Sequence, residues 1–206
     1  MDYVTVIRQA LSREVNVFDV VITAIEDYFH RQVSTISQMR ERDNKKAKGD
    51  VFEALCLAWL STSGHYAQVW TLAEFNQEYN SRLPRQDNGI DLVARTTTGW
   101  VAVQCKYRRS DRYVLWSTLS TFIGLCASTG PWETRLVMTN CRGVSHKVSR
   151  TPADRTHAIG TFRATTREHW LRICGIYYEE RLPPATVPRT AEELRAARLA
   201  YYKTPQ

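Results

Sequence analysis

The amino-acid sequence predicts an α/β protein in which a central mixed β-sheet is flanked by helices. Apolar residues recur at helical spacing in several segments, for instance at Val17, Val21 and Ile25, and this spacing is typical of amphipathic helices. Short apolar runs with alternating polar residues lie between these segments and are typical of strands. The resulting order of elements is that of a sheet covered by helices.

The elements follow one another after an N-terminal helical segment. One or two amphipathic helices are expected within residues 2–38, and a strong helix at about 45–61. A strand is predicted in "YAQVWTL", a short helix or loop in "AEFNQEYNSRL", and a hairpin with strands at about 89–95 and 100–107. A helix in "LWSTLSTFIGLCAST", strands in "TRLVMTN" and "THAIGTF", and a threonine-capped helix in "TTREHWLRI" follow.

Three regions are predicted from these patterns. Residues 1–44 form a helical extension, residues 45–178 form the core, and residues 179–206 form a Pro-rich linker with a terminal helix. No internal repeat and no GxxxxGK[ST] stretch is found, so the chain carries no ATP-driven motor of the P-loop kind.

The charge of the chain indicates a polyanionic partner. The formal net charge is +7, and residues 111–206 carry 14 Lys and Arg against 8 Asp and Glu, whereas residues 1–110 carry 14 against 13. Cationic side chains displace the counterions of nucleic acid phosphates, although solubility alone also explains a charge of this size.

Cysteine usage is typical of a reducing compartment. The five cysteines are widely spaced, without a CxxC pair or a Cys/His cluster, which favours buried thiols over disulfides or zinc sites. The N-terminus has no signal sequence, and no apolar run is long enough to span a membrane. A cytoplasmic protein without membrane contact is therefore expected.

Polar residues stand out in the hairpin "NGIDLVARTTTGWVAVQCK". If Arg95 opposes Trp100 across the four-residue turn, Asp91 lies opposite Gln104. Since side chains alternate along strands, Asp91, Gln104 and Lys106 then share one face. The same register places an apolar set on the other face, namely Ile90, Leu92, Val101 and Val103. The alternative for the polar set is an ordinary solvent-facing sheet surface.

A carboxylate on the preceding helix adds to this set. Glu53 is the only charged residue between positions 51 and 60, in "DVFEALCLAWL". A buried carboxylate needs a cationic partner, which is a divalent metal ion or a salt bridge to Arg95 or Lys106. We expect Glu53 to meet Asp91, Gln104 and Lys106 over one face of the sheet.

These residues together predict a site for phosphodiester hydrolysis. Mg²⁺ prefers oxygen ligands, which Asp91, Glu53 and the main-chain carbonyl of Cys105 can supply. A bound metal ion activates water and stabilises charge on phosphate, and Lys106 can orient the attacking water. Gln104 completes the set of catalytic candidates, and Mn²⁺ is the expected substitute metal. Asp87, in "DNGID", is a secondary candidate, although turn chemistry also explains it.

The motifs "GDVFEALCLAWL", "DNGIDLVA" and "VAVQCKYR" resemble the PD-(D/E)xK nuclease superfamily, in its Mrr-like restriction endonuclease branch, where QxK replaces ExK. Within that branch the sequence is most similar to the N-terminal nuclease domain of type ISP restriction enzymes. The resemblance runs from about residue 48 to 170 and implies a restriction-endonuclease-like fold, with Asp91 and Glu53 as metal carboxylates and Gln104 and Lys106 as the QxK pair. Gln104 departs from the usual acidic ligand, which predicts modest metal affinity.

The predicted function is a Mg²⁺-dependent DNA endonuclease, the cleavage domain of a restriction system. A structure-specific nuclease such as a junction resolvase, and a DNA-binding or assembly module without catalysis, are the alternatives. The partner is double-stranded DNA, and a helicase or translocase and a second copy of the chain remain open as protein partners. Residues 135–172 carry eight Lys and Arg, which are either a solvated surface or a phosphate-contacting flank. The predicted DNA contacts are Arg108, Arg142, Lys147 and Arg150.

Overall fold

The α/β fold is confirmed by the computed structural model of the chain. The structure describes residues 1–31, 41–79, 81, 83, 89–108, 112–145 and 153–175. The seven helices in these ranges are α1 (Tyr3–Leu11), α2 (Val17–Arg31), α3 (Glu41–Thr62), α4 (Leu72–Tyr79), α5 (Ser120–Ser128), α6 (Ile159–Arg163) and α7 (Arg167–Ile173). The five strands are β1 (Gln68–Thr71), β2 (Leu92–Arg95), β3 (Trp100–Lys106), β4 (Thr134–Thr139) and β5 (Asp154–His157).

The strands form one mixed sheet in the order β1, β2, β3, β4, β5. β2 runs antiparallel to both β1 and β3, whereas β4 runs parallel to β3 and β5 runs parallel to β4. This topology brings the start of β2 and the ends of β3 and β4 to one edge of the sheet, by which we mean the edge formed by strand ends. Side chains from three different parts of the sequence therefore meet there.

Buried side chains lie on both faces of the sheet. On one face Leu92 and Val103 join a cluster with helices α1, α2, α3, α6 and α7, and on the other Val93 and Ala102 join a cluster with α4 and α5. Because side chains alternate along β2 and β3, each strand contributes to both clusters, as expected for strands covered on both sides. The N-terminal helices thus share a core with the sheet.

The predicted hairpin register is confirmed. Arg95 pairs with Trp100, and the pairs that follow continue without a bulge. Ile90 is an exception, because it lies in the cluster with Val93 rather than with Leu92. β2 begins only at Leu92, so strict alternation does not extend back to residue 90.

The prediction of one strand in "THAIGTF" was wrong in its second half. β5 ends at His157, and α6 begins at Ile159. Phe162 of α6 stacks on Phe18 with ring centroids 4.7 Å apart, and its side chain is fully buried. Ile159 and Phe162 are separated by three residues, the spacing of a helical face, and burial against α2 selects the helix.

The last described helix matches its prediction. Thr166 caps α7 by accepting a hydrogen bond from the His169 amide. Across the described residues, no helix is long and apolar enough to cross a membrane.

His169 of α7 makes the stability of the fold sensitive to pH. Its Nε2 lies 2.9 Å from the Trp59 carbonyl oxygen, and the residue is only 7% exposed. Burial lowers the pKa of His169, the charges of Arg172 and His65 act in the same direction, and the bond to Trp59 opposes them. His169 therefore binds a proton less readily in the folded protein than in the unfolded chain, where its pKa is near the ordinary value of about 6.5.

We expect the free energy of unfolding to fall as the pH drops below about 6.5, because the unfolded chain then binds more protons. His169→Gln keeps an amide donor for the Trp59 carbonyl but cannot titrate, so its loss of stability with falling pH should be shallower. The difference for one proton is at most ~1.4 kcal/mol per pH unit. Urea unfolding at pH 7.5, 6.5 and 5.5 measures it. Identical slopes for both proteins would contradict this role of His169.

Candidate active site

The edge where β2 begins and where β3 and β4 end gathers the polar residues predicted from the sequence. Asp91 directly precedes β2, and Gln104, Cys105 and Lys106 are the last three residues of β3. Lys106 pairs with Thr139, the last residue of β4. The candidate site thus lies at strand ends, where backbone groups become available to a ligand.

Asp91 is fixed by its backbone and its side chain. Its amide donates to the Val103 carbonyl at 2.9 Å, and its carbonyl accepts from the Leu72 amide at 2.9 Å. The carboxylate oxygen Oδ2 accepts from the Cys105 amide at 2.6 Å. A carboxylate held at so many points loses little conformational freedom when it binds a ligand.

Gln104 lies against the Asp91 carboxylate in the interior. The Gln104 residue is 1% exposed, its Nε2 donates to Asp91 Oδ2, and the same nitrogen lies 3.4 Å from the Cys105 carbonyl oxygen. The amide nitrogen is the end of the carboxamide that can satisfy two acceptors. The Gln104 amide thus stabilises the negative charge of Asp91 within the protein.

Glu53 approaches the same place from α3. Cys56, one helical turn after Glu53, bonds to the Cys105 thiol, whose pKa is raised by burial first, then by Cys56, and then by the charges of Asp91 and Glu53. Both carboxylates therefore favour the protonated form of one thiol.

Helix α3 and the Gln104 side chain belong to opposite faces of the sheet. α3 packs on the face that carries Cys105, and alternation directs Gln104 and Lys106 to the opposite face. Contact of Glu53 with Asp91, Gln104 and Lys106 therefore stays a prediction. A ligand at this edge can contact groups from both layers.

Asn140 and Thr139, which were not predicted, hold the ends of β3 and β4 together. Asn140 accepts from the Arg108 amide at 2.8 Å and donates to the Arg108 carbonyl at 2.6 Å. Thr139 donates its hydroxyl to the Lys106 carbonyl at 2.8 Å. Both residues position the backbone around Lys106. Their sequence signal is a pair of polar residues directly after the apolar strand "RLVM".

Gly89 determines how the chain approaches Asp91. Its φ is +107°, and a Cβ built on it would lie 2.7 Å from the backbone of Phe122. Such a contact excludes every residue with a side chain. The glycine of "NGID" therefore allows the segment before Asp91 to pass against α5.

The predicted DNA contacts divide into two groups. Arg108 and Arg142 are exposed, whereas Lys147, Arg150 and the secondary candidate Asp87 lie outside the described residues. The basic stretch 135–172 is not one uniform flank, because several of its arginines, including the four that follow, contact other residues of the protein. These contacts join Arg135 to Asp154, Arg163 to Asp19, Arg167 to the Leu11 carbonyl and Arg172 to the Thr62 carbonyl.

The donor chemistry at this edge fits a hard divalent cation. Within the described ranges, no three His, Cys, Asp or Glu side chains form a metal-binding group. Oxygen donors are present, however, from the two carboxylates, the Cys105 carbonyl and the Gln104 carboxamide. A small number of carboxylates with neutral oxygens and waters is the set that Mg²⁺ prefers.

Comparison with known proteins places the chain among nucleases. The profile of a protein family described as a restriction endonuclease, of the Mrr catalytic type, matches residues 61–167. The match contains Asp91, Gln104 and Lys106, whereas Glu53 lies before it.

Other comparisons add little to this match. No curated protein matches the sequence. A crystal structure of a protein of unknown function, AF1548, is 15% identical over 70% of this chain and 78% of that chain, with a TM-score of 0.31. The family match spans more than half of the chain, and the mixed sheet agrees with it. The chain therefore belongs to the restriction endonuclease family, as an Mrr-like PD-(D/E)xK nuclease.

Proposed function

We propose that this nuclease is a divalent-metal-dependent endonuclease that hydrolyses phosphodiester bonds of double-stranded DNA, as the cleavage domain of a restriction system. The observation that carries the proposal is the hydrogen bond from the Cys105 amide to the Asp91 carboxylate. Lys106, the next residue, ends β3. A carboxylate, a carbonyl oxygen and a lysine are thereby available at one strand end. The helicase or translocase partner, the likeness to type ISP enzymes and the homodimer remain predictions.

The residues at the sheet edge have distinct roles in this proposal. Asp91, Glu53 and the Cys105 carbonyl would hold Mg²⁺ or Mn²⁺, and Gln104 would turn its carboxamide oxygen toward the ion. When bound, the metal ion lowers the pKa of a coordinated water and stabilises charge on the phosphate. Lys106 donates hydrogen bonds that orient the attacking water and offset negative charge developing on the phosphate oxygens.

Cleavage should depend strictly on a divalent cation. Supercoiled plasmid incubated with the purified chain is expected to become nicked or linear with Mg²⁺ or Mn²⁺. It should stay supercoiled with EDTA, because two carboxylates close to phosphate repel it without a cation. Gel electrophoresis over time measures the rate, and adding excess Mg²⁺ to the chelated sample should restore it. Cleavage that persists in EDTA would contradict the metal requirement.

A further inference from the structure

A cluster of exposed apolar side chains follows the strand that carries Lys106. Five large apolar side chains are exposed in the described part of the chain, and three of them lie within four consecutive positions. These three, Tyr113, Leu115 and Trp116, are 45%, 56% and 42% exposed, and we call them the aromatic ridge. Grouped exposed apolar residues mark interaction sites more often than single ones do.

The aromatic ridge is held firmly although it is exposed. Val114, between Tyr113 and Leu115, is 1% exposed and donates its amide to the Gly143 carbonyl at 2.8 Å. Trp116 begins a 3₁₀ turn, Trp116–Thr118, in which the Leu119 amide donates to the Trp116 carbonyl at 2.8 Å. The buried neighbours thus direct the ridge outward on a fixed backbone, which reduces the entropy lost on binding.

Backbone contacts place the ridge at the edge of the sheet that carries the candidate site. The Ser145 amide donates to the Val114 carbonyl at 2.9 Å, and the Arg142 amide donates to the Arg112 carbonyl at 3.2 Å. Residues 142–145 lie two residues beyond the end of β4, where Thr139 pairs with Lys106. A substrate that reaches Lys106 therefore passes close to the ridge.

Positive charge surrounds the ridge. Arg108, Arg112 and Arg142 are exposed, and residues 106–116 contain four Lys and Arg against one Asp. Aromatic side chains among exposed cations form the usual surface for single-stranded nucleic acid, in which bases stack on rings while phosphates contact the cations. Interfaces between proteins instead tend to exclude charge from their centres.

We propose that the aromatic ridge stacks on unpaired DNA bases next to the cleaved phosphodiester, so that the preferred substrate is DNA with locally opened strands. Bases within a duplex present only their edges in the grooves, whereas an unpaired base exposes a face on which Trp116 and Tyr113 can stack. The proposal deepens the proposed function, on which it rests, by naming the class of DNA that this site binds best.

Binding in EDTA separates recognition from cleavage. Fluorescence anisotropy of the full chain would compare a labelled duplex with the same duplex carrying a short central bubble. We expect the wild type to bind the bubble about 10-fold more tightly, and Trp116→Ala to lose most of this preference while duplex affinity is unchanged. Trp116→Phe should retain it. The slope of affinity against salt should stay constant in Trp116→Ala, because stacking displaces no counterions.

Two matched variants complete the design. Tyr28→Ala removes an exposed aromatic residue on α2 and should leave both affinities unchanged. Arg142→Gln removes a cation beside the ridge and should weaken binding to duplex and bubble alike while flattening the salt slope. Circular dichroism checks that each variant is folded.

Several outcomes overturn the proposal. Equal wild-type affinity for duplex and bubble DNA would show that the ridge does not bind unpaired bases. An equal loss of affinity for both DNAs in Trp116→Ala would show the same. If Trp116→Ala had a lower particle mass than the wild type by light scattering and bound both DNAs like the wild type, the ridge would be an interface between two copies of the chain. Metal-dependent cleavage that requires Asp91, without any bubble preference, overturns this inference alone. If Trp116→Ala loses the bubble preference but cleavage does not require Asp91, the proposed nuclease site is overturned instead.

Discussion

Asp91→Asn is expected to lower the rate of DNA cleavage by about 10³-fold or more while DNA affinity stays close to that of the wild type. In the proposed mechanism, affinity comes mainly from many cationic contacts spread over the surface, whereas hydrolysis depends on one metal ion and its ligands. The asparagine oxygen can still accept from the Cys105 amide and from Gln104, so the fold should be retained. Plasmid cleavage and anisotropy on duplex DNA measure the two effects.

Suitable controls carry the same chemical change elsewhere. Asp27→Asn alters an exposed carboxylate of α2 and should cleave like the wild type. Lys106→Ala should resemble Asp91→Asn in losing cleavage and keeping binding, with the exposed Lys46→Ala as its partner control. Wild-type cleavage by folded Asp91→Asn would remove the proposed role of this carboxylate, and equal loss in Asp27→Asn would point to an effect of charge alone.

Gln104→Glu is expected to make the stability of the protein depend on metal. The Gln104 amide donates to Asp91 in the interior. A glutamate at this position places two carboxylates next to each other, where their negative charges repel. In EDTA at pH 8 the variant should lose roughly 2 to 4 kcal/mol of stability, and Mg²⁺ should restore much of it. Thermal unfolding with and without metal measures both, and cleavage in the presence of Mg²⁺ should be retained, since the change creates the ExK pattern.

The pH dependence of Gln104→Glu gives a second test. Repulsion between two adjacent carboxylates raises the pKa at which the pair gives up its second proton, so the folded variant holds a proton that the unfolded chain has released. Stability in EDTA should therefore fall as the pH rises above about 4.3, the ordinary value for glutamate. Gln68→Glu, at an exposed position of β1, is the matched control. Equal melting curves for both variants in EDTA would show that Gln104 does not offset the charge of Asp91.

Local rules were sufficient to predict the hairpin. The turn between Arg95 and Trp100 fixed the pairing, because one face had to be apolar and a slip of one residue would have reversed every side chain. The same reasoning brought Asp91 beside Gln104, as the structure shows. The pairing of Asp91 with Gln104 could thus be predicted from about twenty residues, whereas the fold class needed the order of elements along the chain.

Long-range packing set the limits of prediction. Ile90 could not be placed because nothing in the local pattern shows that β2 starts at Leu92. α6 replaced half of a predicted strand because Phe162 packs on Phe18, more than 140 residues earlier in the chain. Asn140 connects β3 to β4 through the backbone of Arg108, a contact that appears only once the parallel pairing of these strands is known.

The Cys105 thiol bears on which metals and oxidants the candidate site tolerates. Its pKa is raised by burial, by Cys56 and by two carboxylates, so the sulfur remains a neutral thiol at physiological pH. Soft ions such as Zn²⁺ and Cu⁺ bind thiolates, and oxidants also attack the thiolate form. At the proposed metal site, burial and the neighbouring groups thus keep the sulfur beside Asp91 and Glu53 in the thiol form, which binds competing soft ions weakly and is oxidised slowly.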